Sequence, residues 1–160
     1  MKAKLARRWT IYPKQSDDLV EQLLINRGIS PQERDVFLSP DFSRDLHDPF
    51  QLRGMGEAVE RLTRAIKERE TIALYGDYDA DGTPAIALLH DFFRTLEVPT
   101  VHYIPTREEG YGVHREAVEK LVKEGATLMI TADCGVRNAA EIALAKEKGG
   151  REAAEAEVSK

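Results

Sequence analysis

The sequence predicts an α/β fold: a helical N-terminal region followed by a parallel sheet built from βα units. Three observations predict it. Three short apolar runs, TIALY (71–75), TVHYI (100–104) and TLMIT (127–131), are each followed by a stretch with helical periodicity, an alternation that makes parallel strands joined by right-handed crossovers. The runs are nearly continuous rather than alternating, as strands are when both faces are covered. Everything before about residue 70 lacks such runs and reads as helices separated by loops.

Taken in order, Ser16 is placed to cap DDLVEQLLINRG, with Leu19, Leu23 and Leu24 on one face and Gly28 as the stop. Ser30 caps a second helix with Pro31 at its first position, Glu33 completing a capping box and Val36, Phe37 and Leu38 following. SPDFSRDLHDPFQLRG reads as loop. A third helix, about 56–68, carries Ala58, Val59, Leu62, Ala65 and Ile66 on a 3.6-residue period. Further helices are expected at 84–96, 114–123 and 138–148. The organisation is therefore a helical region over 1–69, an α/β domain over 70–150 and a polar tail over 151–160. A fourth strand is expected after ALAKEKGG, but REAAEAEVSK is polar and rich in Ala and Glu. The α/β domain reads as truncated there.

The 160 residues are 42% hydrophobic and 32% charged, the proportions of a soluble globular protein. No apolar run reaches the roughly 18 residues of a membrane span, and MKAKLARRWTIYPK lacks the apolar core of a signal peptide. The basic cluster Lys2, Lys4, Arg7 and Arg8 reads as a solvated terminus. A single cysteine, Cys134, suits a reducing compartment, and a cytoplasmic location is expected. The net charge of −5 gives no basic footprint for nucleic acid. It leaves room for a polyanion held through metal ions.

LYGDYDADGTPAIALL gathers Asp77, Asp79 and Asp81 where the first strand ends and a helix begins. Asp133, in TLMITADCGV, follows the third strand at the same end. Ligands of open parallel sheets bind beyond the carboxyl ends of the strands. With strand order 2-1-3 the first and third strands are neighbours and the four carboxylates converge. Like charges so close raise each other's pKa, and a hard cation such as Mg²⁺ or Mn²⁺ removes the conflict. Gly82 eases the turn, and Thr83-Pro84 reads as an N-cap and first helical position. The alternative is that these aspartates are only turn formers and helix caps.

IPTREEGYGVHREAV is the second informative stretch. Gly110 and Gly112 flank Tyr111 after the second strand, and Arg107 stands on the same loop, suited to a phosphate. Tyr111 can stack on a base or anchor the loop. His90, His102 and His47 read as structural, and His114 as a weak ligand candidate. Cys134 has no recognisable base beside it. Neither CxxC nor GxxxxGK[ST] occurs, which drops zinc-ribbon and P-loop readings.

These stretches, with FLSPDFSRDLHDPFQLRGMGEAVERLTRAI before them and GATLMITADCGVRNAAEIALAKEKG after, resemble the DHH phosphoesterase superfamily. Within it they are similar to the RecJ-type single-strand-specific DNA exonucleases, over nearly the whole chain to about Gly149. The resemblance implies a DHH-type domain, a two-metal site for Mn²⁺ or Mg²⁺ and 5′→3′ hydrolysis of single-stranded DNA in repair or recombination. It implies Asp79 and Asp81 as metal ligands and Asp77 as a ligand or a close partner of one. Asp133 would bridge the metals, so Asp79, Asp81 and Asp133 would carry the catalysis. Arg107, Tyr111, Gly110 and Gly112 would meet substrate, and a single-strand-binding protein or a helicase would be a partner. The family's Asp-His-His motif, expected just after Gly149, is absent, and TPA at 83–85 stands where the family often carries a hydroxyl-rich turn. Weak or no hydrolysis by this chain alone is therefore expected. Two other readings are a non-catalytic binding module on the same fold, and a phosphodiesterase for oligonucleotides or cyclic dinucleotides.

Overall fold

The computed structural model describes residues 10–149. The basic cluster at 2–8 and the tail at 151–160 lie outside the described residues. Two compact units divide between His47 and Asp48. Among the described residues no helix is long and apolar enough to cross a membrane.

Among its described residues the first unit holds three short helices, α1 (Leu19–Asn26), α2 (Arg34–Leu38) and α3 (Phe42–Asp45). The cap of α1 is Asp18, not Ser16. Its side chain accepts the Glu21 N–H at 2.8 Å, while the Ser16 hydroxyl accepts the Asp18 N–H just before the helix. An ionised carboxylate gains more from the helix N-terminus than a hydroxyl does. Gly28 does stop the helix: at φ +71° it lets its own N–H reach Ile25 O and the Ile29 N–H reach Leu24 O, a Schellman closure. Of the expected apolar face only Leu24 is buried, and Leu19 is 71% exposed. The Ser30–Glu33 bonds form, Glu33 accepting from both the Ser30 N–H and its hydroxyl, but they close a turn rather than a helix. The helix starts only at Arg34. The stretch expected to be loop contains α3, capped by Asp41, and a 3₁₀ turn over Pro49–Gln51, capped by Asp48.

The second unit begins with that 3₁₀ turn and continues α4 (Met55–Lys67), β1 (Thr71–Gly76), α5 (Gly82–Thr95), β2 (Thr100–Tyr103), α6 (Arg115–Lys123), β3 (Ala126–Ala132) and α7 (Ala139–Gly149). The sheet is parallel with order β2-β1-β3, as the expected convergence requires. The central strand β1 is buried on both faces, which is why its sequence is continuously apolar. Ile72 and Leu74 pack with Ala65 of α4 and with Ile86 and Phe93 of α5. Ala73 and Tyr75 face the other way, toward Ala117, Val118 and Leu121 of α6 and Leu144 of α7. The chain steps from β1 to β2 over one face and returns past β1 to β3 over the other. One constant crossover hand demands that change of face, and the reversal opens a crevice between the carboxyl ends of β1 and β3.

The opposite end of the sheet carries a charge that the sequence did not advertise. Arg61 of α4 and Glu70, just before β1, form a two-bond ion pair at 3.2 and 2.8 Å with side chains only 4% and 5% exposed. The Thr127 hydroxyl also donates to Glu70 Oε2. A buried charge is tolerable only when paired and hydrogen-bonded in this way.

Candidate active site

The register of the sheet builds the site. Gly76 pairs with Ala132 at the last position of the β1–β3 ladder, so Asp77 and Asp133 are the next residues on two neighbouring strands. Asp77 is buried at 2% exposure, and its Oδ1 accepts the N–H of Tyr78 at 2.8 Å. Asp79 Oδ1 accepts two backbone N–H groups, from Asp81 and Gly82, each at 3.0 Å. Asp81 takes the N-cap position of α5, but its side chain makes no cap bond and is solvent-facing. Asp133 is exposed and sits in the left-handed region at φ +59°, a conformation that Asp and Asn tolerate better than most residues.

The turn differs in detail from the expectation. Thr83 and Pro84 are the second and third residues of α5, not its cap and first residue, because the helix starts at Gly82. Proline is acceptable there, since N–H groups of the first turn have no partner within the helix. Gly82 is required for space rather than for a positive φ. A Cβ there would stand 2.5 Å from both the N and O of Asp77. The helix start is thus pressed against the loop that carries the aspartates.

The electrostatics of the pocket are uneven. The Asp79 carboxyl is held below the usual range, first by the Gly82 and Asp81 N–H groups. The Asp133 carboxyl is pushed up, first by desolvation and then by the charges of Asp79 and Asp81. As pH falls, Asp133 therefore takes up a proton before Asp79 does. Cys134 is buried, and burial followed by the charges of Asp77 and Asp133 pushes its thiol up to about 11. It is a packed thiol rather than a nucleophile.

The β2–α6 loop lies against the same end. Gly110 and Gly112 have φ of +89° and +104°, which explains the two glycines around Tyr111. The Tyr111 hydroxyl donates to the Asp133 carbonyl at 2.9 Å, so the residue anchors the loop to the β3 side while its ring stays largely exposed. Arg107 is exposed, with its guanidinium carbon 5.2 Å from the ring centroid of Tyr78. Its charge helps to lower Asp79. His114 turns its ring to the Gly110 carbonyl at 3.0 Å, a structural engagement rather than a place among the aspartates. Tyr75, Tyr78 and Asn138 were not singled out from the sequence. Asn138 donates to the Val113 carbonyl at 3.2 Å. A tyrosine at the end of a buried strand is the one available signal, because a buried hydroxyl must find partners.

Residues 71–153 match the family model described as DHH family, N-terminal domain. The chain belongs to the DHH family. Among curated DHH-family relatives, it is 37% identical over 132 residues to the single-stranded-DNA-specific exonuclease RecJ of Bacillus subtilis, a match covering 82% of this chain and 17% of that protein. It is 38% identical over 101 residues to RecJ of Escherichia coli, covering 62% of this chain and 18% of that protein. A crystal structure of exonuclease RecJ bound to manganese superposes with a TM-score of 0.56 at 39% identity, over 61% of this chain and 26% of that one. RecJ from Thermus thermophilus in complex with Mn²⁺ gives 0.54 at 30% identity, over 79% of this chain and 17% of that one. The chain thus spans under one fifth of the length of these curated relatives.

Proposed function

We propose that this chain carries part of a RecJ-type phosphodiesterase directed at single-stranded DNA. The observation that supports it best is the placement of Asp77 and Asp133 directly after the last β1–β3 pair, with Asp79 near enough for its charge to push Asp133 up, beside a loop that presents Arg107. The reaction would be hydrolysis of a phosphodiester, proceeding 5′→3′ as in the resemblance, within repair or recombination.

The donors suit a hard divalent cation. They are carboxylate oxygens, with the charges of Asp79 and Asp81 already raising Asp133, and the soft group nearby, the Cys134 thiol, is buried. Among the described residues no three His, Cys, Asp or Glu side chains lie close enough to hold one ion. We therefore read Asp79, Asp81 and Asp133 as part of a ligand set, with Asp77 behind them. Bound Mn²⁺ or Mg²⁺ would stabilise charge on a phosphate and lower the pKa of a coordinated water. Asp77, buried and bonded to the Tyr78 amide, fixes the turn. Asp79, bonded to two N–H groups, keeps its charge to low pH. Arg107 would pair with a phosphate of the incoming strand, and the exposed ring of Tyr111 would meet a base or sugar.

Calorimetric titration with Mn²⁺ tests the site directly. Binding that disappears in Asp133→Ala supports it, and identical heats with and without the four aspartates favour a metal-free binding module on the same fold. Hydrolysis of an end-labelled single strand in Mn²⁺ by this chain is expected to be weak or absent. Turnover matching a full-length relative would overturn the reading of the site as partial.

A further inference from the structure

The feature that the proposed chemistry leaves unused is a buried phenol. Tyr75 is fully buried at the end of β1, where a phenylalanine would fill the same volume. Its hydroxyl is nevertheless committed entirely to a distant loop. It donates to the Gly112 carbonyl at 3.0 Å and accepts the His114 N–H at 3.2 Å. Tyr103 of β2 stacks on it, ring centroids 5.5 Å apart and 22° between planes. The Tyr103 hydroxyl donates to Glu109 at 2.5 Å, and Glu109 also accepts the Thr106 N–H at 2.6 Å. Both flanks of the turn that carries Arg107 are thereby tied to the sheet.

The loop needs such ties. Two of its residues are glycines at positive φ, which lose more conformational freedom on ordering than any other residue. We propose that Tyr75 is a positioning residue, whose hydroxyl, backed by that of Tyr103, clamps residues 104–114 so that Arg107 stands ready for a phosphate of a single strand. The proposal rests on the nucleic-acid reading above. The clamp keeps the loop ordered before substrate arrives, so binding does not have to supply that ordering.

The test uses the full chain with Tyr75→Phe, read by amide exchange and by anisotropy of a fluorescein-labelled phosphorothioate oligothymidylate in Mn²⁺. Exchange at the His114 amide and its loop neighbours accelerates more than at the β1 amides. Affinity for the oligonucleotide falls by about threefold to tenfold. Arg107→Ala weakens binding in the wild type but adds little in the Tyr75→Phe background, because both changes remove the same placed cation. Tyr103→Phe, which deletes only the bond to Glu109, gives a smaller effect in the same direction and covers the case in which Tyr75→Phe folds poorly. Strictly additive losses, or unchanged loop exchange with unchanged affinity, overturn the clamp while the binding reading stands. Failure of the wild type to bind the oligonucleotide overturns the binding reading and the positioning role together.

Discussion

The two ends of the same three-stranded sheet treat negative charge in opposite ways. At the amino end, Glu70 is buried against Arg61 and Thr127, so its charge is answered within the fold. At the carboxyl end, Asp79, Asp81 and Asp133 are exposed and crowded, and the cation beside them, Arg107, is aimed at a tyrosine ring. The first arrangement needs nothing from outside. The second leaves its charges facing solvent, which is the arrangement the proposed metal site would use. Carboxylate counts alone would not separate the two ends; what separates them is whether the counter-charge is internal.

That contrast can be broken most severely at the amino end. Glu70→Ala removes the carboxylate that answers the buried Arg61 guanidinium and is expected to cost about 3–5 kcal/mol in denaturant unfolding. Replacing both members, Arg61→Leu with Glu70→Leu, should recover most of that loss, because both charges of the buried pair are then gone. Next in size, saturating Mn²⁺ should raise unfolding stability of the wild type, by about 2.7 kcal/mol at a hundredfold excess over Kd, and should leave Asp133→Asn unmoved. A thermal melt with and without the metal checks this. In chelator, Asp133→Asn should hold or slightly raise the Tm, the opposite sign to Glu70→Ala, because it removes a repelling charge and retains a residue suited to positive φ.

The smallest effect concerns the loop. The Glu109 carboxyl is held below its ordinary value by the Thr106 N–H first and then by the Tyr103 hydroxyl. A lowered value means that its anchoring is present above the ordinary glutamate pKa and is lost as pH falls through the lowered one. The Thr106 amide proton shift should therefore titrate with a midpoint below that of a free glutamate, and the titration should vanish in Glu109→Gln.

Much of this was legible in the residues. The continuous apolar runs gave three parallel strands, because burial on both faces leaves no room for alternation, and the order needed for convergence is the one found. Helix starts were less legible. Ser16 and Thr83 looked like caps, yet Asp18 and Asp81 take those positions: at α1 the Asp18 carboxylate bonds the first turn, and α5 starts at Gly82 with no side-chain cap bond at all. At the carboxyl end, the places of Asp77 and Asp133, each directly after its strand, showed in where the apolar runs stop. Tyr75 did not, because a tyrosine in an apolar run reads as bulk until its hydroxyl is seen to be engaged. The Arg61–Glu70 pair was hidden for a similar reason: each looks like an ordinary surface charge until the fold brings the two together.

At Asp133 the backbone by itself already narrows the choice of side chain. Its positive φ excludes β-branched and bulky replacements, while a role toward cations would exclude neutral ones. Glutamate, the usual conservative exchange, keeps the charge but is poorly matched to the twist. Asparagine keeps the twist and discards the charge. Few positions let the steric and the ionic demands on a residue be varied one at a time, and here two point changes at a single codon are enough to tell them apart.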